Sequence, residues 1–217
     1  MKNISRKQVT QMSSFWDKFS GLYDLFELLN YNVNRQMCRA VEEEIPKNAL
    51  VLDCAAGTGM LSMAAAKNAK KVICTDVSKN MLIEAMKKAR RKGVYNIAFA
   101  KRDITSLKDK DNTYDVVMAG NVVHLLSDPA KAFSELVRVT KKGGKIIIPT
   151  YLVRESSLFF RACIGIYKLM GFSPNKDMNT EDYLNLIAEN AEKNGCMEYS
   201  TRLLLGNIPA GFAVIKK

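Results

Sequence analysis

Histidine is nearly missing from this chain: among 217 residues only His124 carries an imidazole, and Trp16 is the only tryptophan. The five cysteines, Cys38, Cys54, Cys74, Cys163 and Cys196, include no Cys-x-x-Cys pair. That scatter supplies neither a zinc site nor a disulfide framework and fits a reducing compartment. No stretch reaches 18 uninterrupted apolar residues, and the first residues lack an apolar signal core, so a cytoplasmic protein without a membrane span is expected. No metal site is expected either. Two phosphate-binding signatures are also lacking, Gly-x-Gly-x-x-Gly and a P-loop Gly-Lys-Ser/Thr.

Acidic residues are in deficit. Against 33 Lys and Arg stand 22 Asp and Glu, a net charge of +11. The basic residues gather at Lys87, Lys88, Arg90, Arg91 and Lys92, at Lys101 and Arg102, and at Lys141, Lys142 and Lys145. One reading is a solvated outer helix face; the other is attraction to an anionic membrane or nucleic acid. No aromatic residue interleaves 87–92, which disfavours a nucleic-acid stacking platform. Apolar content of 47% is ordinary for a globular chain of one domain.

What is present centres on residues 48–62. Ala49 to Leu52 is an apolar run long enough for a buried strand and too short for a helix. Asp53 closes it, Ala55, Ala56, Gly57 and Gly59 make a small-residue turn, and good helix formers follow from Met60. Strand, tight turn and helix bring a ligand against backbone N–H groups. Glycine takes positive φ there without strain. The carboxylate of Asp53 suits a ligand carrying a cation.

The pattern then repeats. Lys71–Thr75 reads as a second strand ending in Asp76, with Ser78 capping a helix over 79–92. Ile97–Lys101 reads as a third, followed by Arg102-Asp103. Tyr114–Ala119 is a fourth, leading to Asn121 and His124. Asp128-Pro129 opens a helix to about Val139, and Gly143-Gly144 turns into a fifth strand over 145–149. Strands alternating with helices predict a doubly wound α/β domain with a parallel sheet. Ligands in such sheets bind outside the carboxyl ends of the strands. Asp53, Asp76, Asp103, Asn121 and Thr150 all fall at those ends, so together they describe one site.

The flanks differ in character. Phe15, Phe19, Leu22 and Phe26 fall at helical spacing, with Trp16 and Tyr23 beside them, and Val33–Ile45 reads as a helix. Leu158–Met170 is strongly apolar on all sides. Thr180 is read as the cap of a helix over 181–194, and 197–205 with 211–215 as a closing hairpin.

These motifs, in this order, resemble the class I S-adenosylmethionine-dependent methyltransferases, nearest to the ubiquinone/menaquinone biosynthesis C-methyltransferases and the type-11 small-molecule group. The resemblance covers roughly residues 15–150. Val-Leu-Asp-Cys-Ala-Ala-Gly-Thr-Gly (51–59) is similar to the family's first motif, with Ala55 where the first glycine stands. Quinone methyltransferases often carry alanine there too. Thr-Asp-Val-Ser-Lys-Asn-Met-Leu (75–82) resembles the second motif, and Arg-Asp-Ile (102–104) the segment that meets the adenine. Phe-Ser-Gly-Leu-Tyr-Asp (19–24) resembles the N-terminal lid.

The resemblance implies S-adenosylmethionine as cofactor, held by Tyr23, Asp53, Ala55, Gly57, Gly59, Asp76, Val77, Met81, Asp103, Ile104 and Asn121. Asp76 would grip the ribose hydroxyls, with Val77 and Met81 beside the adenine and Asp103 at its amino group. A seventh, antiparallel strand follows for the Rossmann-like sheet. The expected single domain, 1–217, divides into a helical lid (1–45), a cofactor core (46–150), a helical substrate cap (151–195) and the hairpin (196–217). His124 and Tyr23 are the candidate bases, with Tyr151 a weaker one; His124 equally reads as a pocket-rim residue.

The acceptor expected is a small apolar or amphipathic molecule, a quinone precursor or a lipid head group, with a peripheral contact to an anionic membrane as one use of the charge. Nucleic acid is disfavoured as a substrate, because Gly-Asn-Val-Val-His replaces the Asn/Asp-Pro-Pro-aromatic of base-amino methylation and the cysteine nucleophile of cytosine methylation. A cofactor-binding protein without transferase activity is the competing class.

Overall fold

Apolar runs of five or six residues, each closed by a polar residue, build the centre of the sheet, because a strand buried on both faces needs no polar alternation. The computed structural model describes residues 30–157 and 177–217. Helices are α1 Tyr31–Glu44, α2 Met60–Ala65, α3 Lys79–Arg91, α4 Pro129–Val139 and α5 Thr180–Lys193. Strands are β1 Leu50–Cys54, β2 Lys71–Asp76, β3 Ile97–Lys101, β4 Tyr114–Met118, β5 Thr140–Tyr151, β6 Glu198–Leu204 and β7 Ala210–Lys216.

The seven strands lie in the order β3-β2-β1-β4-β5-β7-β6. The first five run parallel, and β7 pairs antiparallel with both β5 and β6. The expected doubly wound sheet with an antiparallel strand is therefore present. The chain winds outward from β1 to β3, then returns to lay β4 beside β1. A crevice opens where the winding reverses, at the carboxyl ends of β1 and β4.

Two cores flank the sheet. On one face Val33, Met37 and Val41 of α1 and Leu61 and Ala65 of α2 pack on Val51, Met118 and Ile147. On the other, Phe133 and Leu136 of α4 and Tyr183 and Ile187 of α5 pack on Leu52, Val117 and Ile148. Neighbouring strand residues go to opposite cores, as the period of two requires. Tyr183 is 1% exposed, and its hydroxyl donates to the Ile148 carbonyl at 2.6 Å. Its ring lies flush on Gly211, where an added Cβ would meet ring carbon at 2.2 Å. Burying such a ring contributes about 1.5–3 kcal/mol, which only glycine at 211 allows.

Local signals set the helix starts. Ser78 accepts from the Met81 N–H, and Asp128 accepts from the Lys131 N–H with Pro129 at the first helical position. At α5 the cap is Asn179, which accepts from Asp182 N–H, one residue before the expected Thr180. Asn takes extended backbone here and offers its carbonyl at the right reach.

Three expectations are corrected. The fifth strand begins at Thr140, not 145: Gly143 and Gly144 lie inside it at a register shift against β4. A Cβ on Gly144 would lie 2.8 Å from the Asp115 carbonyl, so the two backbones meet too closely for a side chain. Helix α1 belongs to the core, not to a lid, because its apolar stripe faces the sheet. The 151–195 cap likewise divides: Tyr151 is the last residue of β5, and α5 is core. The aromatic lid residues Phe15–Phe26, including Tyr23, and the apolar segment Leu158–Met170 lie outside the described residues.

Candidate functional site

The turn after β1 is a chain of left-handed residues. Ala55, Gly57 and Gly59 stand at φ 52°, 55° and 81°. Alanine at Ala55 costs roughly 1 kcal/mol relative to ordinary backbone. The Ala56 N–H donates to the Thr75 carbonyl at 2.9 Å, and the Gly57 N–H donates to Asp76 Oδ2 at 2.9 Å. A Cβ on Gly59 would come 3.0 Å from the Ala85 Cβ, so glycine lets α3 approach the turn.

Asp53 is 1% exposed. Its Oδ2 accepts from the Ser62 hydroxyl at 2.6 Å, while Oδ1 is buried with no partner. Burial lifts its pKa to about 7, opposed by the Ser62 hydroxyl and reinforced by the charge of Asp76. A small pocket opens beside it, lined by Ala55, Ala56, Met60, Gly120 and Asn121 among others. An orphaned carboxylate oxygen at a pocket wall is complementary to a cationic or hydrogen-bond-donating ligand.

Asp76 is buried at the end of β2 and accepts from Ser78 N–H as well as Gly57 N–H. Val77 beside it is half-buried, and Met81 is 2% exposed. Asp103 at the end of β3 uses one oxygen in an Asx-turn, accepting from the Thr105 N–H and hydroxyl at 2.8 Å each. Ile104 joins the core under α4. Asn121 also has a left-handed backbone, at φ 53°; its side chain accepts from Tyr151 N–H at 2.8 Å and so ties the loop after β4 to the end of β5. Asp53, Ala55 and Asn121 thus share the pocket, whereas Asp103 and Ile104 carry structural contacts of their own.

His124 sits in a short 3-10 turn, Val123–Leu125. Part of the residue reaches solvent, but Nδ1 is buried without a partner. Burial pushes its pKa down to about 4, against the opposing charge of Asp177. Tyr151 faces the other core, where its hydroxyl hydrogen-bonds Asn34, so it does not address the His124 side. Thr150 Oγ1 is a further buried atom without a partner. Asp53 Oδ1, His124 Nδ1 and Thr150 Oγ1 therefore stand at or after the carboxyl ends of β1, β4 and β5, which are adjacent in the sheet.

Sequence reasoning missed Ser62, the partner of Asp53, and Lys88, which donates to Thr58 Oγ1 at 2.7 Å beneath the glycine turn. The i, i+9 separation across a turn carries no periodic signal. Lys87, Arg90 and Arg91 stand exposed on the outer face of α3 with Lys92 exposed just past its end, while Lys141 and Lys145 pair with Asp115 and Glu44. Among the described residues no three His, Cys, Asp or Glu side chains cluster as a metal site, and no helix is long and apolar enough to cross a membrane.

Residues 52–148 match the family described as "Methyltransferase domain". A demethylmenaquinone methyltransferase of Clavibacter sepedonicus is 30% identical over 190 residues, 82% of this chain and 75% of that protein. The ubiquinone/menaquinone biosynthesis C-methyltransferase UbiE of Bdellovibrio bacteriovorus is 40% identical over 100 residues, spanning 45% of this chain and 42% of that one. The chain thus matches less than half the length of that relative. A SAM-dependent methyltransferase of Thermotoga maritima superposes with a TM-score of 0.71 at 21% identity, covering 94% of this chain and 99% of the other. By these likenesses the chain belongs to the class I S-adenosylmethionine-dependent methyltransferases.

Proposed function

We propose that this protein transfers the methyl group of S-adenosylmethionine to a small apolar or amphipathic acceptor of the quinone-precursor kind. The observation that carries the reading is the buried, unpartnered Oδ1 of Asp53 at the wall of the pocket after β1. A buried carboxylate oxygen is costly to leave unpaired unless a ligand satisfies it. The residues fit the cofactor: Asp53 Oδ1 would meet a positively charged ligand, Asp76 offers acceptor oxygens for hydroxyls, and Ala55 and Ala56 line the pocket with nothing larger than a methyl group.

The bound cofactor supplies a methyl group already activated by a sulfonium. The protein's part is to hold the acceptor in line and keep water out, which accounts for most of the acceleration such a transfer needs. His124, neutral at physiological pH, accepts a hydrogen bond from an acceptor O–H or N–H and orients it. Its depressed basicity makes it a weak proton acceptor. The names of the curated relatives support a quinone-type acceptor, and the net charge of +11 supports approach to the anionic membrane in which such acceptors dissolve.

The test is transfer of a labelled methyl group from S-adenosylmethionine to a demethylated naphthoquinol, run beside phospholipid, thiol and amine acceptors. Label in the naphthoquinol alone is expected. Calorimetric binding of S-adenosylmethionine with no labelled product from any acceptor would instead make this a cofactor-binding protein.

A further inference from the structure

Among the described residues nothing covers one edge of the sheet. Strand β6 is exposed at every position from Glu198 to Leu203, on both faces. It pairs with β7 on one side only. Its outer row of backbone N–H and C=O groups is therefore open to another strand. Among the described residues, Met197, Tyr199, Leu203 and Leu205 make four of the eight large apolar side chains left exposed, so the bare surface gathers at this strand. The opposite edge is different. β3 is half-buried along most of its length and ends at Lys101.

Two protections of an edge are missing from β6: it contains no proline, and its register with β7 is unbroken from Glu198 to Leu204. Its sequence is also complementary to its own reverse. If two copies meet edge to edge as antiparallel strands, the two-fold axis must stand perpendicular to the continuous sheet. Residues facing each other then share a face, so the sum of their numbers is even and one residue meets its own copy. Centring on Ser200 puts Glu198 opposite Arg202 twice and Met197 opposite Leu203 twice, with Tyr199 opposite Thr201. Both charged places meet opposite charge, Met197 and Leu203 meet as apolar pairs, and the Tyr199 ring meets the β-branched Thr201. Centring on Thr201 loses this, because Glu198 then faces Leu204 and Arg202 faces Ser200.

The charges extend a ladder already built within one protomer. Glu198 pairs with Lys216 of β7, and Arg202 lies over the Phe212 ring at 4.8 Å while reaching Glu43. All these groups lie on the α1 face. The partner's Arg202 would add a second cation to Glu198.

We infer that β6 pairs with β6 of a second copy of this chain, antiparallel and centred on Ser200, joining the two sheets into one. Three strands separate β6 from β1, so the pairing leaves the pocket at Asp53 untouched.

Light scattering and sedimentation of the full chain over a dilution series test this. A species of twice 24.3 kDa that dissociates on dilution is expected. Arg202→Glu places like charges opposite each other at two symmetric positions and should weaken the dimer roughly tenfold or more. The double exchange Glu198→Arg with Arg202→Glu restores complementarity and should bring the dimer back to within about threefold of the original, on the same reasoning. A monomer at every concentration overturns the inference, as does a dimer that Arg202→Glu leaves undiminished. Ser200→Cys offers a second measurement: mild oxidation should cross-link Ser200→Cys into dimers and leave Leu203→Cys uncross-linked, and the reverse pattern overturns the register.

Discussion

The carboxylate of Asp76 holds the backbone N–H of Gly57, 19 residues earlier in the chain, at 2.9 Å. The acid that closes β2 thereby shapes the glycine turn that closes β1. The two motifs act as one unit, so under the proposed ribose assignment a change at Asp76 would reach the cofactor by two routes. Its oxygens would meet the ligand, and its hold on Gly57 positions the turn.

Asp76→Ala should weaken S-adenosylmethionine and S-adenosylhomocysteine alike, since both carry the same ribose. The expected loss is about 1.5–3 kcal/mol for a charge-assisted hydrogen-bond pair. Calorimetry on the folded variant measures it; unchanged affinity would refute the ribose assignment.

At the turn itself, Gly57→Val should abolish cofactor binding while circular dichroism still reports the sheet, because a β-branched residue resists the left-handed backbone at φ 55°. Ala55→Gly works in the opposite sense. It relieves alanine at φ 52° and loses some entropy advantage, for a net gain of about 0.5 kcal/mol in thermal unfolding. A clear loss of stability would show that the Ala55 methyl packs to advantage.

Asp53 sets a pH dependence with a definite sign. The unfolded chain releases this proton near 3.8 and the folded one near 7, so between those values the folded state holds more protons. Its contribution to stability therefore falls as pH rises through that window. Cofactor affinity should run the other way, rising with pH through about 7 as the carboxylate ionises. Asp53→Asn should flatten both slopes. Calorimetric titrations and thermal melts across pH would expose the error if the slopes persisted in the variant.

His124 tests orientation against base catalysis. With its pKa held near 4 by burial, His124→Gln should alter acceptor KM modestly and leave both the pH profile and cofactor affinity unchanged. A loss of turnover of about 10²-fold or more, together with a flattened pH profile, would make it the base. Its stability signature is separate: between pH 4 and 6.5 the unfolded chain takes up the proton first, so this contribution is lost as pH falls.

A packing prediction closes the set. Gly211→Ala should destabilise by about 1–3 kcal/mol, because its methyl meets the Tyr183 ring at 2.2 Å. Tyr183→Phe should cost only the hydrogen bond to Ile148, about 1 kcal/mol. Equal effects in denaturant melts would mean that the ring is free to shift.

The sequence alone determined the alternation of strands and helices, the left-handed turn at 55–59 and the acids at the strand ends. Each of these is written in a few adjacent residues: an apolar run, a pair of glycines, a Ser or Asp before a helix. The tertiary structure decided what needs two distant segments at once. Thr140–Lys145 joins β5 because Gly144 can press against Asp115, and α5 lies on the sheet because Gly211 makes room for Tyr183. Asn121 became a tie to Tyr151, a role that depends on which groups the fold brings within reach. Asp53 is the clearest case. Its place after the first strand is local information, but its buried, half-satisfied state comes from Ser62, Asp76 and the removal of water, and no linear pattern encodes the loss of water.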